Sequence, residues 1–254
     1  MNFQHFVDEL EARHLADLRF SDVTRALRAL SSAYVERRES ALADRKALDG
    51  AGKRAAFALY YGPLHFLLVQ HILKEIAAPM TPGTVVDLGC GTGVAGAAIA
   101  DHLRVLGSGE RPLRVLAFDT HPWTLDEARF TCRAFGLQSD VRRAHAARVR
   151  FPKDISIVVA AFVVNELNEN DRTDLLKNLL GNREPGTGNR RILIIEPISQ
   201  RISPWWNEWA AQFARMGGRA DTWKARIDVP PLVKRLAKAS GLRPEMLTAR
   251  SLFV

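Results

Sequence analysis

The chain has 254 residues, 47% hydrophobic and 25% charged, and Lys plus Arg exceed Asp plus Glu by 36 to 28 for a formal net charge of +8. That length suits one large α/β domain or a core domain with a small appendage, and the composition is that of a soluble globular protein. Only Cys90 and Cys132 are cysteines, and they lack CxxC spacing, which argues against a disulfide framework, a zinc site or an iron–sulfur cluster held by this chain.

In chain order, residues 1–80 read as helical throughout. The opening "MNFQHFVDELEARH" is polar and acid-containing, unlike a signal or transit peptide. No apolar run approaches the ~20 residues of a membrane helix, so the expectation is a cytoplasmic protein without a membrane partner. "FQHFVDELEARHLADL" repeats apolar residues at helical spacing, and Ser21-Asp22 are placed to cap a second helix through "VTRALRALSSAYVERRESAL". A third helix, "GKRAAFALYY", is expected to stop at Gly62-Pro63, with Pro63 opening a new one, "PLHFLLVQHILKEI".

From residue 83 strands alternate with helices. "TVVDLG", "LRVLAFD", "ISIVVAAFVV" and "RRILIIEP" are apolar strands, with a weaker one near "SDVRRA"; "GVAGAAIADHLRVL", "PWTLDEARFTCRAFG" and "DRTDLLKNLLG" are helical. Unbroken apolar strands between helices imply a parallel sheet covered on both faces, an α/β fold. "GNREPGTGNR" is a turn-rich loop. "SPWWNEWAAQFARMGG" reads as a capped helix with Trp206, Trp209, Phe213 and Met216 on one buried face, leaving Trp205 as a lid or a stacking ring for a base. After the helix "PPLVKRLAKASGL" there is room for one good strand, "LTARSLFV", and "DTWKARI" is the only source of another.

The stretch "VVDLGCGTGVAGAAIA" leads a strand through close-set glycines into a helix. Gly91, Gly93 and Gly96 satisfy the dinucleotide pattern GxGxxG, with Asp119 closing the next strand. Asp87 discriminates between ligands. A pyrophosphate lies on the helix N-terminus in a dinucleotide site, and a fixed anion at the strand end repels it. S-adenosylmethionine carries a sulfonium and an α-ammonium, which the same anion attracts. Gly89 lets the chain turn directly after the strand, and Asp119 is placed to accept both ribose hydroxyls.

These residues resemble the class I, Rossmann-like methyltransferases that use S-adenosylmethionine, over about residues 80–254: "VVDLGCGTG" is similar to their first motif and "VLAFDTHPWTLDEAR" to their second. The resemblance implies a doubly wound, mostly parallel sheet of order 3-2-1-4-5-7-6, or one lacking a C-terminal strand, with the cofactor across strands 1, 2 and 4. It divides the chain into a helical cap, 1–80, and a cofactor-binding domain, 81–254. Carried over by position, Asp87, Gly89, Gly91 and Gly93 line the methionine and ribose moieties and Asp119 the ribose, with His121 beside it. Where many relatives place an acid against the adenine amine, this chain has "AHAA" around His145. "LSSAYVERR", "FALYYGPLHFLLVQHILKEI", "FVVNEL" and "LIIEP" together resemble the ribosomal small-subunit-associated methyltransferase-like family of mitochondria and bacteria. That family's cysteine cluster is missing here, so no metal role carries over.

Methyl transfer is an in-line displacement in which alignment supplies much of the acceleration. Ligands of parallel sheets bind at the carboxyl ends of the strands, so Asn165 and Glu166 in "AAFVVNELNEN" are candidates for orienting the acceptor; capping of the next turn and a solvated surface are the competing roles. Glu196-Pro197 ends the next strand at the same edge, to bind substrate or shape the loop. The Asn/Asp-Pro-Pro-aromatic tetrad typical of amino-group methylation of bases does not occur in the sequence. Tyr60, Tyr61 and His65 could roof the cofactor or pack within the cap. Residues 201–254 hold ten basic residues against four acids, and "VRRAHAARVRFPK" holds no acid, with Arg142 and Arg143 at its start. Clustered positive charge suits a polyanion such as RNA. Three functions remain open: a methyltransferase for RNA or the small ribosomal subunit, a small-molecule methyltransferase whose cap encloses the acceptor, and a non-catalytic assembly factor with this fold.

Overall fold

The computed structural model describes residues 3–36, 48–107, 113–152, 154–181 and 190–254. The part of the second predicted helix beyond residue 36, most of the 181–190 loop and Lys153 lie outside the described residues. Two compact units are formed, one by Met1–Leu68 with Ala225–Leu247, the other by Val69–Lys224 with Thr248–Val254.

The first unit is helical. It contains α1 (Phe3–His14), α2 (Phe20–Glu36), α3 (Ala51–Ala56), the π-helical turn Phe57–Tyr61, the start of α4 (Gly62–Ile76), and α9 (Pro231–Ser240). Phe6, Val7, Leu10, Val23, Leu27 and Leu30 recur at helical spacing and are all buried. Within this unit Phe3 stacks on Phe66 at 4.6 Å, Arg235 pairs with Glu11 and lies over the Phe20 ring, and Ser240 Oγ donates to the Thr24 carbonyl.

The expected stop at Gly62-Pro63 does not occur. A proline lacks the N–H that an α-helix needs and crowds the preceding turn, and the chain widens into the π turn just ahead of Pro63 instead of breaking. The resulting run, Ala51–Ile76, is by length and composition long and apolar enough to cross a membrane, longer than the sequence reading allowed; 67% of its most apolar window is buried inside the protein.

The second unit is built on a seven-stranded sheet of order β3-β2-β1-β4-β5-β7-β6. The strands are β1 (Thr84–Leu88), β2 (Arg114–Asp119), β3 (Gln138–Arg143), β4 (Ile155–Ala161), β5 (Arg191–Glu196), β6 (Arg219–Arg226) and β7 (Met246–Phe253). Pairs β1–β2, β1–β4, β2–β3 and β4–β5 are parallel, whereas β7 runs antiparallel to β5 with Leu193 opposite Phe253 and Glu196 opposite Arg250. The order matches the one that the methyltransferase resemblance implies. "LTARSLFV" and "DTWKARI" supply the last two strands, as their lengths required. Helices α5 (Val94–Val105), α6 (Pro122–Ala134), α7 (Glu169–Leu180) and α8 (Trp206–Arg215) complete the alternation. The strands β1, β4 and β5 are buried almost end to end, as their unbroken Val/Ile/Leu runs demand of a sheet covered on both faces.

Both sheet edges carry the same arrangement. On β3, Arg142 pairs with Asp140 two residues away, and on β6, Arg219 pairs with Asp221 through two 2.7 Å hydrogen bonds.

Candidate functional site

Two loops at the carboxyl ends of β1 and β2 form the first half of the site. Gly89, Gly91 and Gly93 all have left-handed backbone, at φ 61°, 52° and 76°. That conformation favours glycine, and close packing excludes a side chain besides: a Cβ on Gly89 would lie 2.2 Å from Val163 Cγ2, and one on Gly93 2.9 Å from Ala128 Cα. Cys90 is buried here as a small apolar filler, its N–H donating to the Phe118 carbonyl. Replacing Gly89 by Ala should therefore cost on the order of 2–3 kcal/mol and lower the thermal midpoint by roughly 5–10 °C. An unchanged melting curve would show that the β1 loop yields to Val163.

Asp87 sits beneath this loop at 1% exposure, its Oδ2 accepting the Gly96 N–H at 2.8 Å. A Cβ on Gly96 would come 2.9 Å from the same oxygen, which makes this third glycine of the pattern a packing requirement. Asp87 Oδ1 is buried without a partner. Burial, opposed by the Gly96 N–H and reinforced by the Asp119 charge, pushes the Asp87 carboxyl up to about 7. Asp119 ends β2 and accepts the Gly91 N–H on Oδ2 and the His121 N–H on Oδ1, both at 2.9 Å. The residue expected to face a ribose thus also ties the two loops together. His121 caps α6, its Nδ1 accepting from the Trp123 N–H at 3.2 Å.

The second half lies at the carboxyl ends of β4 and β5. The apolar run "ISIVVAAFVV" suggested a longer strand, but β4 stops at Ala161 because Phe162 turns left-handed, at φ 60°. A bulky residue in this region is a backbone outlier of the kind that clusters at functional sites. A 3-10 turn, Val164–Glu166, follows. Glu196, fully buried at the end of β5, holds that turn: its Oε1 accepts the N–H of Val164 at 2.7 Å and of Asn165 at 3.3 Å. Burial is the main cause that pushes the Glu196 carboxyl up to about 8, against the two backbone N–H groups and Arg250 opposite.

The Asn165 side chain is fixed in turn. Its Oδ1 accepts from Ser203 Oγ at 2.7 Å and from Trp205 Nε1 at 2.9 Å, and its Nδ2 is buried without a partner. Trp205 is therefore not the exposed ring expected from the sequence. It is 7% exposed and packs against Trp209 at 4.8 Å, because its indole N–H finds Asn165. Ser203, expected to begin the helix as a cap, is engaged by the same amide. Glu166 is exposed, and the cap of α7 is Asn168, not Asn165.

Arg142 and Arg143 are exposed at the carboxyl end of β3, and Arg143 is in register with Asp119. Arg142 is engaged by Asp140; Arg219, Lys234 and Arg235 also have acidic partners, and Arg250 is buried over the Trp206 ring. The basic surface is narrower than the composition implied. Tyr61 lies in the helical unit, in ring contact with Tyr60 at 5.2 Å, and burial pushes its hydroxyl up to about 12. Among the described residues, no group of three or more His, Cys, Asp or Glu is placed to hold a metal ion. Sequence reasoning placed Glu196 at this edge, to bind substrate or shape the loop, without specifying its grip on the 164–165 turn, and it missed the clamp of Ser203 and Trp205 on Asn165. An acid at the carboxyl end of a parallel strand was the available signal for that grip.

Residues 85–186 match a protein family described as a methyltransferase domain. Comparison with curated proteins gives no match. Among solved structures, a SAM-dependent methyltransferase from Leishmania major aligns over 97% of this chain and 89% of its own at 13% identity, with a TM-score of 0.50. A SAM-dependent methyltransferase from Aquifex aeolicus aligns over 76% of this chain and 91% of its own at 18% identity and a TM-score of 0.46. The ribosomal protein L11 methylase from Lactobacillus delbrueckii subsp. bulgaricus aligns over 75% and 76% at 16% identity and 0.42. These are likenesses of fold.

Proposed function

We propose that this chain, whose residues 85–186 match a methyltransferase domain, is a class I S-adenosylmethionine-dependent enzyme that methylates RNA, with the small ribosomal subunit as its partner. The observation that carries the RNA reading is the position of Arg143: exposed, at the carboxyl end of β3, in register with Asp119. Exposed Arg148 and Arg150 follow it within a stretch, 141–152, that contains no acid.

The residues present fit the cofactor. Asp87 Oδ1 is a buried, unpartnered acceptor, which suits a ligand that brings a cation, and left-handed backbone at Gly89, Gly91 and Gly93 carries the chain through a tight turn directly after β1. S-adenosylmethionine supplies a methyl group activated by a sulfonium. Asp87 attracts its positive charge, Asp119 keeps lone pairs for ribose hydroxyls, and the turn 162–165, buried at Val163 and Val164, holds the acceptor in line. Arg143, Arg148 and Arg150 bind phosphates of the acceptor strand.

Binding to single-stranded ribosomal RNA fragments should weaken with salt, with a log–log slope of about −0.7 per phosphate neutralised. Changing Arg143, Arg148 and Arg150 to Glu should reduce that slope by about 2. A salt-independent affinity, or an unchanged slope in the variant, would move the small-molecule reading to first place.

A further inference from the structure

The Asn165 amide has only one orientation that its neighbours permit. An indole N–H is a donor and never an acceptor, so the atom 2.9 Å from Trp205 Nε1 must be the amide oxygen. Ser203 Oγ, at 2.7 Å from the same atom, then donates as well. Two donors occupy Oδ1, the backbone N–H of Asn165 is held by Glu196, and the NH2 group faces away, buried and without a partner. A buried amide donor left unpaired costs free energy comparable to a lost hydrogen bond, a cost that a ligand can remove.

We propose that Asn165 donates its Nδ2–H to a carbonyl oxygen or an unprotonated ring nitrogen of the acceptor base other than the atom that takes the methyl group, whose own lone pair stays free to attack, instead of accepting an N–H from an exocyclic amine through its oxygen. The proposal rests on the methyltransferase reading of this site and, for the nature of the base, on the RNA reading. Trp205 and Ser203 are positioning residues that keep the amide from flipping, and Glu196 is a positioning residue that fixes the turn bearing it. The missing Asn/Asp-Pro-Pro-aromatic tetrad accords with a site that offers a donor.

The test uses the full chain with radiolabelled S-adenosylmethionine and two acceptor pools, purified small ribosomal subunits with their RNA and a protein-free metabolite extract. Asn165→Asp keeps an oxygen for Trp205 and Ser203 but presents a second acceptor where the donor was. Its kcat/KM should fall roughly a hundredfold at neutral pH, with S-adenosylmethionine affinity and melting temperature close to wild type. Its residual activity should rise as pH falls, because a protonated carboxyl regains an O–H donor, a trend that a merely structural role would not produce. Trp205→Phe, which frees the amide to flip, should lose about tenfold, mainly in kcat. Should Asn165→Asp fail to fold, unchanged kinetics in Trp205→Phe would overturn the proposal. Retained or improved transfer by a folded Asn165→Asp would overturn it directly. Label only in the metabolite pool would overturn the RNA reading while the variants still decide the role of Asn165, and label in neither pool would overturn both.

Discussion

S-adenosylmethionine should bind on the order of tenfold more tightly at about pH 8 than at about pH 5.5, and Asp87→Asn should abolish that dependence. Burial pushes the Asp87 carboxyl up to about 7, so at pH 5.5 most molecules carry it neutral. A ligand bearing a sulfonium and an ammonium favours the carboxylate, so binding expels the proton. Affinity therefore rises with pH up to about 7 and levels off above it. Calorimetric titration in two buffers of different ionisation enthalpy measures the proton released, which should approach one per site at about pH 6. Asp87→Asn should bind more weakly than wild type at pH 8 and release none. Tighter binding at acid pH, or proton uptake, would refute the assignment of Asp87 to the cationic end of the ligand.

Glu196→Gln should stabilise the protein at alkaline pH. Its carboxyl stands at about 8 in the fold against 4.5 ordinarily. Between those values the native state holds a proton that the unfolded chain has lost, so the stability tied to this group is fully present below about 4.5 and is lost as pH rises through about 8. A glutamine keeps a carbonyl for the Val164 and Asn165 N–H groups and cannot ionise. The two proteins should melt alike near pH 4.5 and diverge by a few kcal/mol, roughly 5–10 °C, by about pH 8.5. Asp87 acts with the same sign up to about 7, so the variant keeps a shallower slope there. A variant that melts below wild type at pH 8.5 would mean that the ionised Glu196, paired with Arg250, stabilises the fold.

The centre of the sheet was legible because β1, β4 and β5 are rich in Val, Ile and Leu and alternate with helices of contrasting period, and the last two strands followed from the few residues left to make them. The glycine loop was legible for a similar reason: left-handed backbone at Gly89, Gly91 and Gly93 leaves its mark in residue type. The π turn before Pro63 was not, since proline reports only a missing donor and not how the chain accommodates it. The end of β4 was hidden by Phe162, whose side chain suits a strand while its backbone leaves one. Trp205 was misjudged because helical periodicity assigns faces within α8 and says nothing of the residue just ahead of it. Its partner, Asn165, lies forty residues away in sequence, and no local rule links an indole to an amide at that distance.

The two ion-paired edges of the sheet bear on how this protein behaves at high concentration. An outer strand offers a row of unpaired backbone groups to any other chain, and charged side chains along it are the usual deterrent. Here Asp140 with Arg142 on β3 and Arg219 with Asp221 on β6 place a zwitterion on each flank. A second strand docking there would have to desolvate both charges of a pair at once. Each flank of the sheet is thereby made a poor template for a further strand.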